Sequence, residues 1–119
     1  MLISDDASTN NAAEEIRVTT GTAMNNAVPI RGIINNTTSR NGLDGIGIRS
    51  NIPGISGGTP VSGNRSDRNG EDGIDINSAG YNVSNNRGDR NVGCAIDLGG
   101  NTDGGGNVAK NNIGGNICP

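Results

Sequence analysis

The segment Asn41-Gly42-Leu43-Asp44-Gly45-Ile46-Gly47-Ile48 returns 28 positions later as Asn69-Gly70-Glu71-Asp72-Gly73-Ile74-Asp75-Ile76. It returns more loosely, 22 positions after that, as Asn91-Val92-Gly93-Cys94-Ala95-Ile96-Asp97-Leu98. Each copy follows an apolar residue with Asn three positions on: Ile33/Asn36, Val61/Asn64, Val83/Asn86 and Val108/Asn111. Arg40, Arg68 and Arg90 stand just before the Asn that opens each segment. The last copy is read 25 residues on, with Val108, Asn111 and Asn116 answering Val83, Asn86 and Asn91. A register that holds in several columns at once defines a repeat of 22–28 residues. Such units cannot bury a core alone and must stack on their neighbours.

Within each unit the x-Ile-x-Ile alternation reads as a short strand with one face buried. The Gly and Asn clusters between apolar pieces are turn chemistry, since both residues tolerate positive φ. Composition agrees, with 21 Gly and 20 Asn among 119 residues. The expected fold is all-β, a parallel β-helix of about four coils with 22–28 residues per coil. Residues 1–32 form an N-terminal segment or a first irregular coil, followed by coils at 33–60, 61–82, 83–107 and 108–119. Two readings stand for the early part: a short helix over Ser8–Val18, or Ile16-Arg17-Val18 as the strand of an earlier coil. Ile46/Ile74/Ile96, Ile48/Ile76/Leu98 and Val61/Val83/Val108 are expected as inner columns. Asn36/Asn64/Asn86/Asn111 and Asn41/Asn69/Asn91/Asn116 are expected at the turns, either as hydrogen-bonded amide ladders or for turn geometry alone. Extra length falls after Ile48 and after Leu98, at one corner of the coil.

Several function classes fall away. The chain has no His, so it has no imidazole base and no zinc site of the usual Cys/His kind. One aromatic ring (Tyr81) and a net charge of −3 argue against nucleic acid as a partner. No apolar run approaches the ~20 residues of a membrane span. Asp5 and Asp6 stand where a secretory signal would be apolar, so no signal peptide is seen.

Alternation places Arg49, Asp75, Asn77 and Asp97 on one outward face, and these are the candidate ligand-binding residues. Asp75 and Asp97, one coil apart, are also the candidate catalytic pair, with Arg49 as the nearest basic residue. Paired carboxylates perturb each other's protonation or hold a cation. The plain alternative is a solvated polar face without chemistry. Asp97 and Asp103 are candidate calcium ligands; no other cofactor is indicated. Asp44 and Asp72, beside glycines, read as turn formers that accept from backbone amides. Cys94 and Cys118 lie about one coil apart, which allows a disulfide and with it an oxidising compartment; two reduced thiols are the alternative.

The stretches NRSDRNGEDGIDINSAGYNVSNNRGDRN (64–91) and GNVAKNN (106–112) resemble the right-handed parallel β-helix superfamily of pectate lyases, polygalacturonases, phage tailspikes and periplasmic carbohydrate-binding proteins. The resemblance runs from Ile33 to Cys118 and implies right-handed winding. It implies a non-catalytic extracellular or envelope-associated module, or a fragment of one, that binds polysaccharide. The alternatives are a polysaccharide lyase or hydrolase fragment using Asp75 and Asp97, and a structural solenoid that self-associates end to end through open strand edges. The catalytic signatures of that superfamily are missing: Asn-Thr-Asp occurs at 101–103, but in a Gly-rich loop.

Overall fold

A computed structural model describes residues 2–11, 16–18, 30–49 and 54–119. Among them are fifteen short strands and no helix. The first sheet contains β1 (Leu2–Ser4), β4 (Gly32–Ile34), β7 (Thr59–Ser62), β10 (Tyr81–Ser84) and β13 (Thr102–Gly105), in that order. The second contains β2 (Ala7–Thr9), β5 (Thr37–Ser39), β8 (Arg65–Asp67), β11 (Arg87–Asp89) and β14 (Val108–Lys110). The third contains β3 (Ile16–Val18), β6 (Ile46–Ile48), β9 (Ile74–Ile76), β12 (Cys94–Asp97) and β15 (Gly115–Cys118). Every pairing is parallel, and each strand pairs with the strand three elements further along. The molecule is therefore all-β, with consecutive strands dealt in rotation to three parallel sheets.

The inner columns follow this register. Ile46, Ile74 and Ile96 are aligned in the third sheet, and Ile48 lies on Ile76. Ile3, Ile33, Val61 and Val83 are aligned in the first. These chains, with Leu98 and Tyr81, form one core in which most of the isoleucines are fully buried. The second sheet turns small polar groups inward instead: the Thr38 and Ser66 hydroxyls share a 2.6 Å hydrogen bond, and Ser66 Oγ donates to the Gly73 carbonyl.

Two corners of each repeat carry Asn ladders. The backbone N–H and Nδ2 of Asn36 both donate to Asn64 Oδ1, at 2.9 and 3.0 Å. Asn64 does the same to Asn86, and Asn86 to Asn107. Five residues along, Asn41 donates to Asn69, Asn69 to Asn91 and Asn91 to Asn112. The residue before each ladder position is left-handed. Asn35, Gly63, Asn85 and Gly106 occupy one corner, and Arg40, Arg68, Arg90 and Asn111 the other, all with φ of 55–72°. That backbone turn aims the following amide inward, at a cost for the three arginines that Gly or Asn would not incur.

Of the two readings of the early part, the strand is what forms: Ile16–Val18 is β3, and with β1 and β2 it supplies a repeat before Gly32, so each sheet has five strands. The structure corrects the reading of the last repeat. Successive repeats are separated by 30, 28, 22 and 21 residues, so the last step is 21 and not 25, and no extra length follows Leu98. The ladders accordingly end on Asn107 and Asn112, not Asn111 and Asn116, and Val108 pairs with Arg87, lies 46% exposed and leaves the Val61/Val83 column. The inner isoleucines decide this register: only a step of 21 sets Ile117 against Ile96. The longer segment after Ile48 falls partly on 50–53, outside the described residues.

Candidate functional site

Where each repeat enters the third sheet, a carboxylate column runs beside the Asn ladders. Asp44 Oδ1 accepts from the Asp72 backbone N–H at 3.0 Å, and Asp72 Oδ1 accepts from the Cys94 N–H. Both carboxylates accept from a backbone amide, as expected, but the donor lies in the next repeat, so they link repeats and do not form a turn. The column ends at Cys94, which is disulfide-bonded to Cys118 across neighbouring strands with a Cα–Cα distance of 6.2 Å. By register Cys94 lies on Gly115 and Cys118 on Asp97, so the bridge runs diagonally between β12 and β15.

The outward column Gly47–Asp75–Asp97 is in register, so Asp75 and Asp97 are one repeat apart. Asp75 is nevertheless buried, at 8% exposure, which overturns its assignment to an open face. Arg49 lies over it, with Nη1 3.5 Å from Asp75 Oδ2 and Nη2 3.7 Å from Asp44 Oδ2. Asn77 Nδ2 donates to the same Asp75 oxygen. Asp97 is half-buried, its Oδ1 accepting from the Gly99 N–H, and Asn77 is exposed. Of the four residues expected to bind ligand, the structure brings Arg49, Asp75 and Asn77 into contact and leaves Asn77 and Asp97 reachable.

Asp44, Asp72 and Asp75 present carboxylate oxygens within 4.8 Å of one another. Burial pushes Asp44 up to about 7, with the charges of Asp75, Asp72 and Glu71 adding to it and the Asp72 N–H opposing. Burial likewise pushes Asp75 up to about 6, with Asp72 and Asp97 adding and Arg49 and Asn77 opposing. Asp72 is also raised, first by burial. One guanidinium does not neutralise three close carboxylates, so the group holds a proton near neutral pH or accepts a second cation. Oxygens at this separation can ligate one calcium ion. Asp103 takes no part: it lies exposed on β13 in the first sheet, its Oδ1 accepting from Gly105 N–H and Asn107 Nδ2. The sequence places Asp44 and Asp72 in one column and Asp75 in another; their convergence depends on the bend into the strand, which repeat spacing does not encode.

Beyond Asn77 and Asp97 the chain turns from the third sheet to the first. There a shallow groove of ~370 Å³ is lined by backbone of Gly57, Gly80 and Gly100 and by Tyr81, Asn82 and Thr102. Nothing approaches within 4 Å of where a Cβ would stand at Gly57 or Gly100, and both have positive φ. Among the described residues that line it, none carries a charge. Its signal in the sequence is the glycine that recurs in successive turns, Gly57-Gly58, Gly80 and Gly99-Gly100. No family model matches the chain, and neither a curated protein nor a solved structure does.

Proposed function

We propose that the chain winds as a right-handed parallel β-helix and serves as a non-catalytic polysaccharide-binding module outside the cell or at its envelope. The observation that carries this reading is the strict rotation of strands through three parallel sheets, with one shared core and continuous Asn ladders. A chain that wraps around its own core once per repeat produces that rotation directly. The Cys94–Cys118 bridge fits an oxidising compartment.

The binding site of this reading is the groove at Tyr81, Asn82 and Thr102, with Asn77 and Asp97 at its approach. The exposed Asn82 amide and Thr102 hydroxyl suit a neutral, hydroxylated ligand, and the volume lies at the small end of ligand sites, ~300–1,000 Å³. The lyase or hydrolase reading loses support because Asp75 is sealed under Arg49 and Asn77, where it cannot reach a glycosidic bond. A glycan array read alongside product formation with added calcium tests the proposal. The expected result is binding without turnover, weakened at least several-fold by Asn82→Ala. Turnover that Asp75→Asn abolishes would replace this reading with the enzyme.

A further inference from the structure

The two outer repeats of the stack carry complementary halves of an Asn rung. Among the described residues, β1, β2 and β3 are the outermost strands on one side of the three sheets, and β13, β14 and β15 on the other. The ladders have a direction: the backbone N–H of each rung donates to a side-chain oxygen in the following repeat. At Asn107 and Asn112 no described residue supplies that oxygen, and neither backbone N–H finds an acceptor. The Nδ2 hydrogens that elsewhere reach forward turn back here, from Asn107 to Asp103 Oδ1 and from Asn112 to the Lys110 carbonyl. On the opposite side the first rungs are Asp6 and Asn11, whose N–H groups donate to Asn36 Oδ1 and Asn41 Oδ1. Each follows a left-handed residue, Asp5 and Asn10, as the later rungs do. Asp6 and Asn11 are exposed, whereas the six Asn rungs from Asn36 to Asn91 are buried. The outer repeats also hold three of the four large apolar side chains that the described residues leave exposed: Leu2, Val108 and Ile113.

We infer that the edge formed by β13, β14 and β15 docks a second copy of this chain head to tail, with the partner copy's Asp6 and Asn11 as the rungs that follow Asn107 and Asn112. The direction of the ladders selects this arrangement. A donor edge against another donor edge leaves both sets of N–H groups unmet, whereas the opposite edge of a copy continues every parallel sheet in register. Asp6 suits the joining rung, because a carboxylate only accepts and makes the stronger hydrogen bond to an N–H. The contact is heterologous, so copies add in a line. The inference rests on the ladders and is independent of the glycan reading.

Sedimentation of the intact chain from micromolar to millimolar concentration tests this; the expected result is an average mass that rises above the monomer. Asp6→Lys is expected to raise the dissociation constant about tenfold or more, while Asp6→Asn, which keeps an acceptor oxygen, retains association. The register supplies a second readout. Thr9, Ser39, Asp67, Asp89 and Lys110 form one column, so a docked copy sets its Thr9 beside Lys110. Neighbouring strands are ~4.8 Å apart, within reach of a disulfide. A Thr9→Cys chain mixed with a Lys110→Cys chain is expected to crosslink, and neither variant alone; circular dichroism checks that all variants fold. A chain that stays monomeric throughout overturns the inference, as does Asp6→Lys associating like the wild type. So does Thr9→Cys alone crosslinking as readily as the mixture, which would mean that like edges meet.

Discussion

The Asn ladders and the Asp column are built on the same backbone plan and behave differently. In both, a side-chain oxygen accepts the backbone N–H of the neighbouring repeat: Asn64 Oδ1 from Asn36, and Asp44 Oδ1 from Asp72. An amide also donates, so Asn64 Nδ2 satisfies Asn86 Oδ1 and the Ile33 carbonyl, and the pattern extends without accumulating charge. A carboxylate only accepts. Stacking two of them beside Asp75 gathers charge in a buried place, and their protonation shifts upward in response. The Asn ladders run through to Asn107 and Asn112, whereas among the described residues the Asp column runs from Asp44 to Asp72 and gives way to the covalent bridge at Cys94. A neutral group that both gives and takes can be repeated; a charged group that only takes cannot.

The largest expected effect comes from breaking a ladder. Asn64→Ala removes the acceptor of the buried Asn36 N–H and of one Asn36 Nδ2 hydrogen, and the Nδ2 donor to the Ile33 carbonyl, while Asn86 Oδ1 keeps the backbone N–H of residue 64 and Asn36 Nδ2 keeps the Ile3 carbonyl. At roughly 1–3 kcal/mol for each buried unpaired group, the loss should reach about 3–5 kcal/mol in urea unfolding. A cost below about 1 kcal/mol would mean that the ladder is decorative. The bridge ranks next: removing it with Cys118→Ser should cost about 3 kcal/mol, since it closes a loop of 24 residues. Equal unfolding midpoints for oxidised and reduced protein would contradict this.

The Asp column should show the opposite sign. Asp44 and Asp75 bind protons more tightly folded than unfolded, from the ordinary 3.8 up to about 7 and about 6. Their contribution is therefore greatest below pH 4 and is lost as pH rises through 6 and 7. Melting temperature should fall between pH 5 and pH 8, and Asp44→Asn should remove part of that slope while stabilising by about 1–2 kcal/mol at pH 8. Millimolar calcium at pH 8 should recover stability in the wild type and not in Asp44→Asn if the cluster takes the ion. The smallest effect belongs to the corners. Arg40→Gly, at a φ of 57°, should stabilise by about 0.5–1 kcal/mol, whereas the same change at Arg87, inside a strand, should not.

Much of this is legible in the sequence, and the exceptions have physical causes. The Ile46/Ile74/Ile96 column and the pairs Asn36/Asn64 and Asn41/Asn69 follow from spacing, because a parallel stack turns a sequence interval directly into a contact. The last repeat is ambiguous in the sequence because Asn107, Asn111, Asn112 and Asn116 offer two ladders with the same five-residue gap. The discriminating signal is Ile117, 21 residues after Ile96, and the likeness of Val108 to Val83 points the other way. Alternation gave Asp75 its outward direction correctly and its exposure wrongly, since a strand pattern does not reveal that Arg49 of the preceding repeat folds over it.

The central claim, that each repeat lies in parallel register on the next, is tested most directly by isotope-edited nuclear Overhauser spectroscopy of the isoleucine methyls and backbone amides. The account predicts contacts between Ile46 and Ile74, Ile74 and Ile96, and Ile96 and Ile117, with amide contacts at constant intervals of 28, 22 and 21 residues along the strands of the third sheet. Intervals that shrink by two with each residue, as in antiparallel hairpins, would contradict it.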